Sequence, residues 1–179
     1  MKSFLLLFLY LLSSKEYYKI QESNVRFTSS QTQETIHAFS KSLKGVIDKN
    51  TGQFRFSIAM NTFDGFNSPL QKEHYNENYI ESNRYPEAQF IGRVIEQIDW
   101  SKPGTYTIRA KGDFILHGQT KNLIIPSQIQ VISEQEIRIK SQFKISLSEF
   151  GIKIPRMVHK KLAEMIDVSL DCRLIKTDS

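Results

Sequence analysis

Apolar residues recur at every second position along most of this chain, and that period suits a pleated strand with one buried face. Phe54, Phe56, Ile58 and Met60 share one side of a segment, with Arg55, Ser57 and Ala59 on the other. Tyr106, Ile108, Ala110, Gly112, Phe114 and Leu116 form a longer apolar face opposite Thr107, Arg109, Lys111 and Asp113. The pattern returns at Ala88, Phe90, Gly92, Val94 and Ile98, broken by Glu96, and at Leu123, Ile125, Ile129 and Val131. It returns again at Ile137, Ile139, Phe143, Ile145 and Leu147, and last at Ile166, Val168, Leu170, Cys172 and Leu174. Twelve Phe and seven Tyr strengthen the β reading, because aromatic side chains favour strands.

Turn chemistry separates these runs. Asp48-Lys49-Asn50-Thr51-Gly52 reads as a hairpin loop and Ser101-Lys102-Pro103-Gly104 as a Pro-Gly turn. His117-Gly118-Gln119-Thr120 and Ser133-Glu134-Gln135 are short polar connections, so the whole reads as an antiparallel meander. Two segments depart from it. Ser68-Pro69-Leu70-Gln71 has the cap, first-turn proline and capping-box glutamine of a helix start, which predicts a helix from Pro69 to about Ser82. Its apolar face, Leu70, Tyr75, Tyr79 and Ile80, is thin, which suits a lid or plug. A second short helix is expected from near Pro155, carrying Val158, Leu162 and Met165.

Long apolar strands with open edges aggregate, and closing the sheet into a barrel removes the edges. About eight strands enclose room for one small ligand. The fold class read here is therefore all-β, a closed antiparallel barrel with one or two short helices. Gly92, Gly112 and Gly118 lie on otherwise apolar faces, where they either bend the sheet or mark bulges. Alternation points Phe54, Phe56, Ile58, Phe90, Ile108, Phe114, Leu116, Ile139, Phe143, Val168 and Leu170 inward, with Leu70, Tyr75 and Tyr79 closing one end. Such rings and aliphatic groups can surround an apolar ligand or simply fill the barrel.

The ends and the charges bound the setting. Lys2, an uncharged run from Phe4 to Leu12, and Ser13-Ser14 follow the plan of a secretory signal peptide, and the run is too short to span a bilayer. Residues 1–14 are read as that signal and 15–179 as one domain, exported to the periplasm or beyond. The single cysteine, Cys172, allows no internal disulfide. The net charge of +5 is spread along the chain, its longest basic run being Lys160-Lys161. Nucleic-acid binding is therefore not expected. A weak attraction to anionic membranes and a homodimer are left open.

Residues that could carry chemistry do not assemble in sequence. His37, His74, His117 and His159 lack the close spacing of metal ligands, and neither a metal nor a cofactor is expected. His74 and His117 remain the pair to follow. No Gly-x-Ser-x-Gly elbow occurs, and Cys172 alternates with apolar neighbours as a packing residue does. Glu73, Glu77 and Glu81 share one face of the predicted helix, a spacing usual for solvated carboxylates. No catalytic role is assigned to any residue.

Six stretches in order give the chain a likeness to a known family. They are Gly45-Val46-Ile47-Asp48 with Thr51 to Phe54, Ser57 to Gly65, Glu73 to Ser82, Tyr85 to Gly92, Gly112 to Lys121, and Phe150 to Pro155. With these the chain resembles the YceI-like, or lipid/polyisoprenoid-binding, proteins over residues 20–176. Tyr75 stands where that family commonly has Phe. The resemblance implies an eight-stranded lipocalin-like barrel, exported by bacteria, that in some members holds an isoprenoid or another long-chain lipid. It implies no characterised reaction. The function expected is non-catalytic binding of such a lipid, as an envelope carrier or scavenger. The alternatives are a ligand-free barrel acting in stress response or protein contacts, and a lipid-acting barrel enzyme.

Overall fold

Alternation is converted into strands almost run for run. The computed structural model describes residues 16–156 and 160–178. Its strands are β1 (Glu16–Ser30), β2 (Thr35–Ser40), β3 (Lys44–Asp48), β4 (Gln53–Ala59), β5 (Glu87–Val94), β6 (Gly104–Leu116), β7 (Gln119–Ser133), β8 (Glu136–Ser146) and β9 (Met165–Asp178). All pair antiparallel in one sheet, β2-β1-β3-β4-β5-β6-β7-β8-β9, and β1 also pairs with β9. That last pairing closes the sheet. β2 and β3 lie end to end along the same edge of β1, β2 against Val25–Ser30 and β3 against Tyr17–Lys19. The nine strands therefore fill the eight positions of a closed barrel. From β3 onward the path is the expected meander.

The closing seam carries a charge cluster. Glu16 accepts from Lys49 Nζ at 2.7 Å and from Lys176 Nζ at 2.6 Å, joining β1 to the β3–β4 turn and to β9. Hydrogen bonds from Lys176 and Lys49 hold its carboxyl down from 4.5 to about 2. A lowered carboxyl stabilises the fold fully above its unfolded value and loses that contribution as pH falls toward the folded one. Glu16→Gln should therefore lower the melting temperature above pH 4.5. The gap from wild type should close as pH falls to about 2, as followed by circular dichroism melts.

The glycines act differently from one another. Gly92 and Gly112 face each other across β5 and β6 in unbroken register, where main chains approach too closely for a Cβ. Gly118 is not on a strand face. It forms the β6–β7 turn with His117, at φ of 71° and 50°, the left-handed pair that a two-residue hairpin demands. Shifts of register occur instead at Ile20/Glu22 and Val131/Ser133, where no glycine stands.

The helix is shorter than its sequence signals. Ser68 Oγ accepts from Gln71 N at 3.2 Å, and the Gln71 side chain accepts from Asn67 N at 3.1 Å, one residue before the cap. The α-helix α1 (Pro69–His74) gives way to a π-turn over Tyr75–Tyr79, and Glu81 then turns left-handed at φ 49°. The π-turn breaks the four-residue spacing of Glu73, Glu77 and Glu81. Glu73 and Glu77 are exposed, whereas Glu81 turns to His117. Val158 of the expected second helix lies outside the described residues. Leu162 is in a bend and Met165 begins β9, so neither belongs to a helix.

Candidate functional site: an apolar cavity opening at the helix end

The barrel does not fill with a single core. Two apolar clusters form, one around Trp100, Tyr18, Ile129 and Leu174, the other around Tyr75, Phe63, Phe150 and Ile166. Between them lies a cavity of about 530 Å³. Its size is within the roughly 300–1,000 Å³ of pockets that enclose small ligands. Inward residues midway along the strands confirm the gap locally. Phe56, Phe90, Phe114, Phe143, Val168 and Leu170 point into the barrel yet remain only half-buried, because the cavity leaves their faces uncovered.

All fourteen residues singled out by alternation and helix pattern border this cavity. Phe54, Phe56 and Ile58 come from β4, Phe90 from β5, and Ile108, Phe114 and Leu116 from β6. Ile139 and Phe143 come from β8, Val168 and Leu170 from β9, and Leu70, Tyr75 and Tyr79 from the helix and its π-turn. Their rings form a continuous aromatic wall. Phe54 stacks on Phe56 at 5.4 Å and meets Phe90 at 4.9 Å, which reaches Phe114 at 5.9 Å, which meets Phe143 at 6.2 Å. Tyr75 stacks on Phe27 at 5.5 Å and donates to the Met60 carbonyl at 3.3 Å. Burial pushes its phenol well above the ordinary value.

The mouth is at the helix end. Among the described residues that line the cavity, only Leu70, His74 and Lys161 are exposed. They belong to α1 and to the segment before β9, and Glu34 of the β1–β2 loop joins them through its bond with Gln71. Leu70 is 57% exposed, so it sits on the rim and does not plug the barrel as its place in the helix pattern suggested.

Sequence reasoning missed the contribution of β1. Tyr18 and Ile20 face inward at even positions, Val25 and Phe27 at odd ones. The bulge between Ile20 and Glu22 changes the parity, so no single alternation runs through the strand. The change of phase from Tyr18-Ile20 to Val25-Phe27 was the signal available. Ser127 and Ser141 were missed because a hydroxyl on an inward face breaks the apolar pattern.

Among the described residues the titratable groups do not form a reactive set at the cavity. His117 lies in the β6–β7 turn, with Nε2 2.8 Å from Glu81 Oε2 and Nδ1 3.1 Å from the Phe150 carbonyl. These contacts tie the π-turn, the hairpin and the segment after β8 together. His74 stands at the mouth and is not among the partners of His117. His37 is exposed on β2, and His159 lies outside the described residues. Among the described residues no three His, Cys, Asp or Glu side chains come together as metal ligands would. Cys172 is buried, and desolvation pushes its thiol up to about 12. A thiol reagent at pH 8 should therefore leave Cys172 unmodified in the native protein and label it once urea unfolds the barrel. Rapid labelling without urea would show that the β8–β9 wall opens.

A family model for the YceI-like domain matches residues 18–174. The chain belongs to the YceI-like family. Solved structures share its barrel at low identity. A polyisoprenoid binding domain from Saccharophagus degradans, implicated in plant cell wall breakdown, is 14% identical with a TM-score of 0.76, over 89% of this chain and 98% of that one. BcnA from Burkholderia cenocepacia is also 14% identical, with a TM-score of 0.69 over 84% and 95%. The Campylobacter jejuni YCEI protein, at the same 14% identity, gives 0.59 over 78% and 82%. Among curated proteins none matches the chain. This YceI-like barrel thus shares with its neighbours the sheet that surrounds the cavity, while low identity leaves the lining to be read from its own residues.

Proposed function

We propose that this protein binds a long apolar molecule, an isoprenoid or another long-chain lipid, inside the barrel and performs no reaction on it. The observation that carries this reading is the cavity of about 530 Å³ walled by the phenylalanines of β4, β5, β6 and β8 and opening at the helix end. An apolar tail presents few polar groups, so its recognition rests on removing surface from water. About 400 Å² of buried apolar surface contributes roughly 10 kcal/mol before the costs of ordering and association. No acid, base or nucleophile is required for that. The description of the Saccharophagus degradans neighbour as a polyisoprenoid binding domain supports the same ligand class. A carrier or scavenger in the bacterial envelope suits both the open mouth and the signal-like residues 1–14.

The test is native mass spectrometry of the protein purified from its own host, followed by organic extraction of any adduct. An isoprenoid or long-chain lipid at near one per barrel is expected. Protein that is empty as isolated and takes up no isoprenoid from added vesicles would overturn the proposal.

A further inference from the structure

The apolar wall has one polar station, and the direction of its hydrogen bonds selects what can meet it. Ser127 on β7 and Ser141 on β8 are directly opposite in the register. Among the described residues they are the only hydroxyl-bearing side chains on the inward strand faces that line the cavity. The other polar lining residues are at the helix end, where the buried Tyr75 hydroxyl is taken up by the Met60 carbonyl, apart from Gln89 on the outward parity of β5. The pair lies halfway along the barrel. Ile139, two residues before Ser141, packs in one core cluster, and Phe143, two residues after it, packs against the other.

The Pro126 carbonyl can only accept, so Ser141 Oγ, 2.8 Å away, donates to it. Ser141 has then spent its hydrogen. Ser127 Oγ, 3.1 Å from Ser141 Oγ, must be the donor between the two hydroxyls. Both hydrogens are used within the wall, and Ser127 is left with lone pairs alone to offer a ligand. Such a site accepts from a hydroxyl or an N–H. It repels a group that brings only lone pairs, and a carboxylate or phosphate at that depth would be a charge without a counter-ion in an apolar surround.

Resting on the binding reading above, we propose that Ser127, held by Ser141 and Pro126, makes the cavity selective for a lipid alcohol whose hydroxyl is buried at mid-depth. The ligand class is an isoprenoid or long-chain alcohol, set apart from its ether, acid or phosphate ester. The discrimination is moderate, because Ser127 and Ser141 keep their own hydrogens bonded when an ether is present. Only a lone pair is then left unused.

Farnesol, farnesyl methyl ether and farnesoic acid carry the same chain with different ends, and competition against a fluorescent fatty probe measures all three. At pH 7 farnesol should bind roughly tenfold tighter than the ether, with the acid weaker still. The double variant S127A/S141A should reduce the gap between farnesol and ether to about twofold or less while keeping its affinity for the ether. Equal affinities in wild type would overturn this selectivity and leave the apolar-ligand reading standing. A gap that persists in the double variant would also overturn it, since the hydroxyl would be read elsewhere. Failure of all three compounds to bind would count against both readings.

Discussion

Gly112→Ala should cost the barrel about 4 kcal/mol or more, near the upper end for a single substitution. A methyl group at Gly112 would stand 2.2 Å from the Ile91 carbonyl oxygen and 2.7 Å from Gly92 Cα. The mirror change, Gly92→Ala, would put its Cβ 2.1 Å from the Lys111 carbonyl oxygen. Every atom met is main chain, so no rotamer relieves the clash, and β5 and β6 must separate there. Gly104→Ala serves as the control, because its Cβ would meet nothing closer than the Tyr106 ring at 3.8 Å. Urea denaturation of the three variants decides the matter. If Gly112→Ala unfolds at the same midpoint as Gly104→Ala, the close approach of β5 and β6 is not what the native protein has. A domain with typical stability of about 5–15 kcal/mol would be left marginal by the predicted loss.

Filling the cavity should separate binding from folding. Ala110 lies inward on β6, opposite Val94 on β5 and Ile125 on β7, and it lines the cavity. Ala110→Trp projects an indole into space that a ligand would otherwise take. In a packed core such a change costs about 1–3 kcal/mol through strain. Here room exists, and the new ring gains apolar burial against Phe54, Phe90 and Phe114, so the melting temperature should hold or rise. Affinity for farnesol should fall at least about a hundredfold, equivalent to roughly 3 kcal/mol. A variant that melts far lower than wild type would mean that the barrel is packed where a cavity is described. A stable variant that still binds would place the ligand outside the barrel.

Much of the wall was legible because a strand buried on one face repeats its apolar residues every second position. Phe114 and Leu116, or Val168 and Leu170, could be assigned inward from their neighbours alone. Closure followed from the aggregation hazard of long open edges, and the family likeness added the strand number, which alternation in separate segments does not contain. The helix start was legible from Ser68, Pro69 and Gln71, whose bonds are local. Its end was not. The π-turn at Tyr75–Tyr79 brings Tyr75 against Phe27, Phe63 and Phe66, contacts from segments distant in the chain. The same limit hid the partnership of Glu81 with His117, which needs the left-handed turn at Glu81 to be seen first.

Taken alone, the order of residues determined which side of each long strand is apolar, where most turns fall and where the helix begins. Those properties depend on neighbours within a few positions. Three things were decided only in the folded molecule: that the inward rings stop short of filling the barrel, that the mouth opens beside Leu70 and Lys161, and that Ser127 meets Ser141 with its hydrogen already committed. The pairing of Ser127 with Ser141 depends on the β7–β8 register and its shift at Val131/Ser133, while the gap and the mouth depend on how far apart opposite walls stand. Those distances are set by the closure of the whole sheet, and no local stretch of sequence carries them.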